Sequence, residues 1–64
     1  MQKVIETVII NIAQARDAGL RTWEVDLTKI KPDITSDEIR HLFRTLREYD
    51  YGVERIKNIL RARL

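Results

Sequence analysis

Apolar residues spaced three and four positions apart predict two amphipathic helices. In the first, over residues 2–18, the stripe consists of Ile5, Val8, Ile9 and Ile12. In the second, over residues 36–49, it consists of Ile39, Leu42, Phe43 and Leu46. Gly19 can take the left-handed conformation that ends the first helix. Thr35 and Glu38 have the spacing of a capping box, which satisfies free backbone amides where the second helix begins.

Between the two helices the pattern changes to strict alternation. Trp23, Val25 and Leu27 alternate with polar residues from Thr22 to Thr28, which predicts a half-buried strand. Such a strand needs a partner strand, because buried backbone groups without hydrogen bonds are unfavourable. Pro32 restricts residues 28–34 to a connector that holds at most a short helical turn.

The residues after the second helix fit more than one structure. Val53, Ile56, Ile59 and Leu60 fit a further helix that follows an exit at residues 49–52. One long helix through Gly52 is an alternative, because apolar steps of three and four continue without a break from residue 39 to residue 60. A strand over residues 52–57, paired with residues 22–27, is a third alternative. We favour two helices or one kinked helix.

Size and composition complete the fold prediction. The chain has 64 residues, enough for one domain over residues 1–64, and we predict a mostly α fold with at most one short strand pair. Domains this small gain stability from disulfides, metals or partners. Cysteine is absent and His41 is the single histidine, so we expect no metal, no cofactor and a homodimer. The predicted dimer interface comprises Trp23, Tyr49, Val53, Ile56 and Leu60.

Hydropathy and charge limit the environments that suit this chain and the kinds of partner it can bind. The chain is 44% hydrophobic and 34% charged, which is too apolar for a disordered chain and too charged for a membrane span. The first residues have no signal-peptide pattern, so we expect a cytoplasmic location. The net charge is +2, and the whole excess lies in residues 34–64. That excess favours an anionic partner if the cations share one face.

The sequence contains none of the residue sets that catalysis requires. A hydrolase or transferase needs a nucleophile beside a base, a metal cluster or a glycine-rich phosphate loop. The chain has two glycines and one histidine, and helix capping accounts for the adjacent Asp37 and Glu38. We therefore expect a protein that is not an enzyme.

A row of arginines on the second helix is the strongest candidate site. Arg40, Arg44 and Arg47 lie at steps of four and three, so they share one helix face. The side chains of His41 and Thr45 flank the row. Arginine forks pair with phosphate oxygens and with guanine edges through two hydrogen bonds at a time. The competing interpretation is a solvated face of a core helix.

Residues 34–52 resemble the recognition-helix region of winged helix-turn-helix DNA-binding regulators. The pattern of a hydroxyl cap, spaced apolar residues and an exit to the wing is filled by Thr35, Ile39, Leu42, Leu46, Tyr49 and Gly52. The order of elements over residues 5–57 is also similar. The resemblance implies that the helix over residues 36–49 enters the major groove of double-stranded DNA. It further implies a helix before the recognition helix and a second wing strand, for which the sequence gives little sign.

These observations lead to a small DNA-binding transcriptional regulator with a helix-turn-helix or winged-helix-like fold. The expected DNA-binding residues are Ser36, Arg40, His41, Arg44, Thr45, Arg47, Arg55 and Lys57, with the last two on a wing or the next helix. The alternative is a protein-interaction module, a homodimeric adaptor or an inhibitor of a partner protein, with no nucleic-acid role. A third hypothesis is a purely structural oligomerisation unit.

Overall fold

The computed structural model describes all 64 residues and contains three helices and three strands. In chain order the elements are α1 (Gln2–Asp17), β1 (Thr22–Asp26), α2 (Leu27–Ile30), α3 (Ser36–Glu48), β2 (Gly52–Ile56) and β3 (Ile59–Arg63). The two helices predicted from the apolar stripes are confirmed, and each ends one residue before the predicted boundary. The predicted alternating strand is confirmed as β1, and the short turn before Pro32 is α2.

Backbone capping fixes where α1 ends and α3 begins, as the sequence predicts. Gly19 has a φ of 82°, and its N–H donates to the Arg16 carbonyl at 3.0 Å in a left-handed helix exit. At the start of α3, the Thr35 hydroxyl accepts from the Glu38 N–H at 3.2 Å. The Glu38 carboxylate accepts from the Thr35 N–H at 3.0 Å, so both halves of the capping box are present.

The exit from α3 lies within residues 49–52, as the sequence predicts. Asp50, not Gly52, takes the left-handed conformation, with a φ of 64°. Its N–H donates to the Arg47 carbonyl, and the Tyr51 N–H donates to the Leu46 carbonyl, both at 3.0 Å. This pair of bonds is the Schellman motif, which also ends α1. The chain can therefore turn directly into β2, in which Gly52 is the first residue.

The three strands form one antiparallel sheet in the order β1-β3-β2. Trp23 lies opposite Ala62, and Ala62 lies opposite Val53, so these residues share the face that packs on the helices. Glu24, Arg61 and Glu54 form the neighbouring row on the outer face. Because β3 is central, β1 and β2 are both edge strands.

The core lies between the helices and the inner face of the sheet. All of the buried residues are apolar, and no buried side-chain nitrogen or oxygen lacks a hydrogen bond. The fully buried large side chains are Val8, Ile12, Leu27, Ile39, Leu42, Leu46 and Leu60. They come from α1, α2, α3 and β3, so the single four-residue helix α2 contributes Leu27 to the centre of the molecule.

The prediction of a mostly α fold with at most one strand pair is wrong. Strands hold 23% of the residues and roughly half of the chain is helical. The error lies in residues 52–63, which form the β2–β3 hairpin and not a helix. The strand alternative for residues 52–57 was closer, but β2 pairs with β3, and it is β3 that pairs with β1. A two-residue loop, Lys57-Asn58, joins the strands, with Lys57 at a φ of 56°.

None of the three helices has the length and apolar character required to span a bilayer.

Candidate nucleic-acid interface

The helix α3 places three arginines on a face that the core does not use. Its buried stripe anchors the helix to the body of the molecule. At about 100° of rotation per residue, the side chains of Arg40, Arg44 and Arg47 fall within one sector of the helix, away from the centre of that stripe. All three are exposed. Together with Glu48 they line one open depression on the surface.

The charges in this arginine row are almost free of intramolecular partners. Arg40 lies 3.5 Å from the Asp37 carboxylate, but the two side chains are 76% and 88% exposed. An ion pair so exposed contributes little and is easily exchanged for another partner. Arg44 and Arg47 form no ion pair. The Arg47 guanidinium lies 5.7 Å from the centre of the Phe43 ring, a cation–π contact that leaves its outward hydrogen-bond donors available.

The remaining predicted residues on α3 are placed less uniformly. Ser36 is the first residue of the helix and is exposed, as is His41. Thr45 is half-buried, and its hydroxyl donates to the His41 carbonyl at 3.0 Å. It is rotated by about 100° from Arg44 on the helix. The structure therefore brings the three arginines together but does not bring Thr45 into the same row.

Arg55 and Lys57 lie on the β2–β3 hairpin and not on a helix. The Arg55 Nε donates to the Lys57 carbonyl at 2.8 Å, which holds the arginine against the loop. Both residues are exposed and neither forms an ion pair. The strand β2 packs against α3, so the hairpin is a neighbour of the helix that carries the arginine row.

The predicted dimer interface is largely accounted for within one chain. Leu60 is completely buried in the core of its own chain. Trp23 and Val53 are half-buried and pack against the same core. Only Tyr49 and Ile56 are exposed, by 65% and 50%. The helical seam through Leu60 is wrong, because residues 52–63 form strands.

The sequence analysis did not single out Arg61, the arginine that the fold pairs with two carboxylates. The Arg61 Nε donates to the Glu24 carboxylate at 2.7 Å, and its Nη1 lies 3.5 Å from the Glu54 carboxylate. The hydrogen bond and the charge of Glu24, and then the hydrogen bond to Glu54, raise the pKa of Arg61. This cross-strand arrangement could be found from the sequence only after the strand register was known, because the three residues lie on three different strands and Glu24 is 37 residues from Arg61.

The structure holds no cluster of three or more histidine, aspartate and glutamate side chains that could bind a metal ion. Comparisons with protein-family models, with curated protein sequences and with solved structures find no match to this chain.

Proposed function

We propose that this protein binds double-stranded DNA and acts as a small transcriptional regulator, with α3 as the recognition helix. The observation that carries the proposal is the row of Arg40, Arg44 and Arg47, which is exposed and nearly unpaired on a helix whose other face is buried. A duplex presents a regular array of phosphates beside guanine edges, and arginine can bind both through paired hydrogen bonds.

The dimensions and surroundings of α3 support this proposal. A helix of 13 residues is about 20 Å long, and the major groove is wide enough to admit an α-helix. The order of elements around α3 is compatible with the winged helix-turn-helix resemblance. The four-residue helix α2 precedes α3, and the β2–β3 hairpin follows it, where a wing would lie. Arg55 and Lys57 at that hairpin add two exposed cations for phosphates. The protein would work in the compartment that holds the duplex, for which we propose the cytoplasm.

The salt dependence of duplex binding tests this proposal. Each phosphate neutralised by a cation contributes about −0.9 to the slope of log affinity against log salt concentration. We expect the double variant Arg40→Ala plus Arg44→Ala to bind random duplex DNA more weakly and to reduce the steepness of that slope by about 2. A gel shift or a fluorescence titration at several salt concentrations measures both effects.

A matched control distinguishes the arginine row from a general effect of positive charge. Arg21 and Arg63 are also exposed and also form no ion pair, but they lie outside α3 and at the end of the sheet opposite the Lys57-Asn58 loop. The double variant Arg21→Ala plus Arg63→Ala loses the same charge and should bind almost as tightly as the wild type. Equal losses in the two double variants, or none in either, would reject α3 as the binding element.

A protein-interaction module is the second candidate function. It is favoured by Tyr49 and Ile56, two large apolar residues that stay exposed on α3's exit and on β2. A module of this kind would bind its partner with little dependence on salt and would not need the arginine row. The variants Tyr49→Ser and Ile56→Thr should then abolish partner binding and leave duplex binding unchanged.

A further inference from the structure

The solvent face of α1 carries a stripe that makes no contact with the core, and among its polar side chains only Glu6 has an intramolecular partner, the Gln2 amide at 3.3 Å. On the side of the helix opposite the core lie Lys3, Glu6, Ile10, Ala13 and Asp17, all of them exposed. Their spacing of three and four residues makes this a straight stripe along the helix. Ile10 in its middle is 56% exposed, although isoleucine is only a moderate helix former and packs against nothing here.

The stripe is symmetric about Ile10 in both position and chemistry. Lys3 and Asp17 each lie seven residues from Ile10, on opposite sides, and carry opposite charges. Glu6 and Gln14 each lie four residues away, a hydrogen-bond acceptor on one side and an amide donor on the other. Neither Lys3 nor Asp17 forms an ion pair within the chain. A surface that complements itself in this way is what a twofold interface requires.

We infer that two copies of this chain associate through α1, packed antiparallel with Ile10 on the twofold axis. In this arrangement Lys3 faces the partner's Asp17 at both ends of the interface, about 10 Å from the axis. Gln14 donates to the partner's Glu6, and the two Ile10 side chains pack against each other between the small Ala13 side chains. A parallel pair is disfavoured, because it would set Lys3 against the partner's Lys3 and Asp17 against the partner's Asp17.

The other unpaired element of the fold is less suited to self-association. The outward backbone groups of β1 belong to Thr22, Glu24 and Asp26, because the alternate residues of β1 pair with β3. Two copies joined along this edge around a twofold at Glu24 would bring two Glu24 carboxylates directly opposite each other. Like charges at such positions destabilise a strand pair, so α1 remains the better interface.

Charge reversal tests the antiparallel arrangement. The variants Lys3→Glu and Asp17→Lys each turn two attractive contacts into two repulsive ones, which should weaken dimerisation by about tenfold. The variant that carries both changes regains the attraction with its signs exchanged and should dimerise like the wild type. Both changes also suit the helix dipole, so a loss of dimer in either single variant cannot come from unfolding of α1. Sedimentation equilibrium over a range of concentrations measures the dissociation constant of each chain.

Cysteine cross-linking tests the position of the axis independently. The chain has no native cysteine, so each introduced thiol can be followed alone. The variant Ile10→Cys should form a covalent dimer rapidly under mild oxidation, because the two thiols meet at the axis. Leu20→Cys is the matched control, since Leu20 is 52% exposed but lies beyond the end of the stripe. It should cross-link much more slowly.

Three results would overturn the inference. The first is a wild-type chain that stays monomeric up to about millimolar concentration, the weak limit of specific association. The second is a dissociation constant that is the same for the wild type and for every charge-reversal variant, which would place the interface elsewhere. The third is cross-linking of Leu20→Cys as fast as that of Ile10→Cys. None of these measurements involves DNA, so the outcome is independent of the proposed function.

Discussion

Lys31 and Glu38 form an ion pair that spans the connector between α2 and α3. The Lys31 ammonium donates to one carboxylate oxygen of Glu38, while the other oxygen accepts the Thr35 N–H at 3.0 Å. Glu38 therefore serves the capping box and the connector with the same side chain. The hydrogen bond from Lys31, and then that from Thr35, lowers the pKa of Glu38 from 4.5 to about 2. The carboxylate must be ionised for both contacts to keep their full strength.

The first prediction concerns stability in acid. A carboxylate whose pKa is lowered by folding stabilises the native state above its unfolded pKa, and this contribution disappears as the pH falls through the folded value. For Glu38 that window runs from 4.5 down to about 2. We expect Glu38→Gln, which cannot ionise, to be less stable than the wild type at neutral pH and to converge with it across this window. Urea unfolding at a series of pH values measures the difference.

The partner of Glu38 provides the control for this prediction. The hydrogen bond with Glu38 raises the pKa of Lys31. The same ion pair therefore weakens at the opposite end of the pH scale, as the pH rises above the ordinary lysine pKa of 10.5. We expect Lys31→Met to move the pKa of Glu38 back toward 4.5, as measured by NMR titration of the carboxyl carbon. A Glu38 pKa that does not move in this variant would contradict the assigned cause.

The second prediction concerns the exit from α3. Asp50 holds a left-handed backbone, which is unfavourable for a residue with a Cβ, and its charge opposes the helix dipole at this end. We expect Asp50→Gly to raise the free energy of unfolding by about 0.5–1 kcal/mol. Gly19→Ala should have the opposite effect, a loss of about 1 kcal/mol, because Gly19 holds the same conformation at the end of α1. Chemical denaturation of both variants measures these changes.

Gly52 provides the negative control for this comparison. It has no positive φ, and a Cβ built on it would meet the Arg63 Cβ at 3.7 Å, an ordinary contact. Gly52→Ala should therefore be tolerated. A large destabilisation by this variant would indicate that Gly52, not Asp50, makes the turn out of α3.

The third prediction separates the core from the surface of the hairpin. Leu60 is fully buried and Ile56 is 50% exposed, although both belong to the same apolar pattern in the sequence. Leu60→Thr should lower the free energy of unfolding by at least about 2 kcal/mol, through a cavity and a buried hydroxyl. Ile56→Thr keeps a β-branched residue on an exposed strand. It should change the free energy of unfolding by about 0.5 kcal/mol at most. Similar losses in the two variants would contradict the register of the hairpin.

The fourth prediction concerns the carboxylate beside the arginine row. Glu48 lines the same depression as Arg40, Arg44 and Arg47 and forms no ion pair. If duplex phosphates approach this surface, Glu48 repels them, so Glu48→Gln should bind DNA severalfold more tightly at low salt. Asp33→Asn removes the same charge from the exposed connector and serves as the control. An equal gain from both variants would point to net charge rather than to this surface.

The two long helices were predicted correctly because each has two independent signals in the sequence. For α3 the capping box and the apolar stripe agree, and the stripe of α1 agrees with the left-handed exit at Gly19. No second signal in the sequence supported a hairpin over residues 52–63. Ile56 and Ile59 lie on the outer face near the loop, and their spacing from Val53 and Leu60 imitates a helix. The Lys57-Asn58 loop is also difficult to recognise from the sequence, because Lys57 takes a positive φ that is usually adopted by glycine or asparagine.

The candidate site was predictable in part for the same reason. Helical periodicity was enough to place Arg40, Arg44 and Arg47 on one face, because α3 itself was predictable. It could not tell which arginines are paired, since the partners of Arg61 come from β1 and β2 and depend on the strand register. Four of the predicted interface residues, Tyr49, Val53, Ile56 and Leu60, were chosen for a spacing that continues along one helix, but residues 52–63 form strands and Leu60 is buried in the core of its own chain.

The central place of β3 makes both ladders of the sheet depend on this one strand. β1 and β2 never touch through hydrogen bonds, so each remains a solitary strand until residues 59–63 enter between them. During synthesis, the segments of α1 and α3 can form helices and collapse early. The sheet can form only after β3, the last of its three strands in chain order, has been made. Loss of β3 should accordingly expose the amides of both ladders to hydrogen exchange together, whereas the opening of β1 or of β2 alone should expose only one ladder.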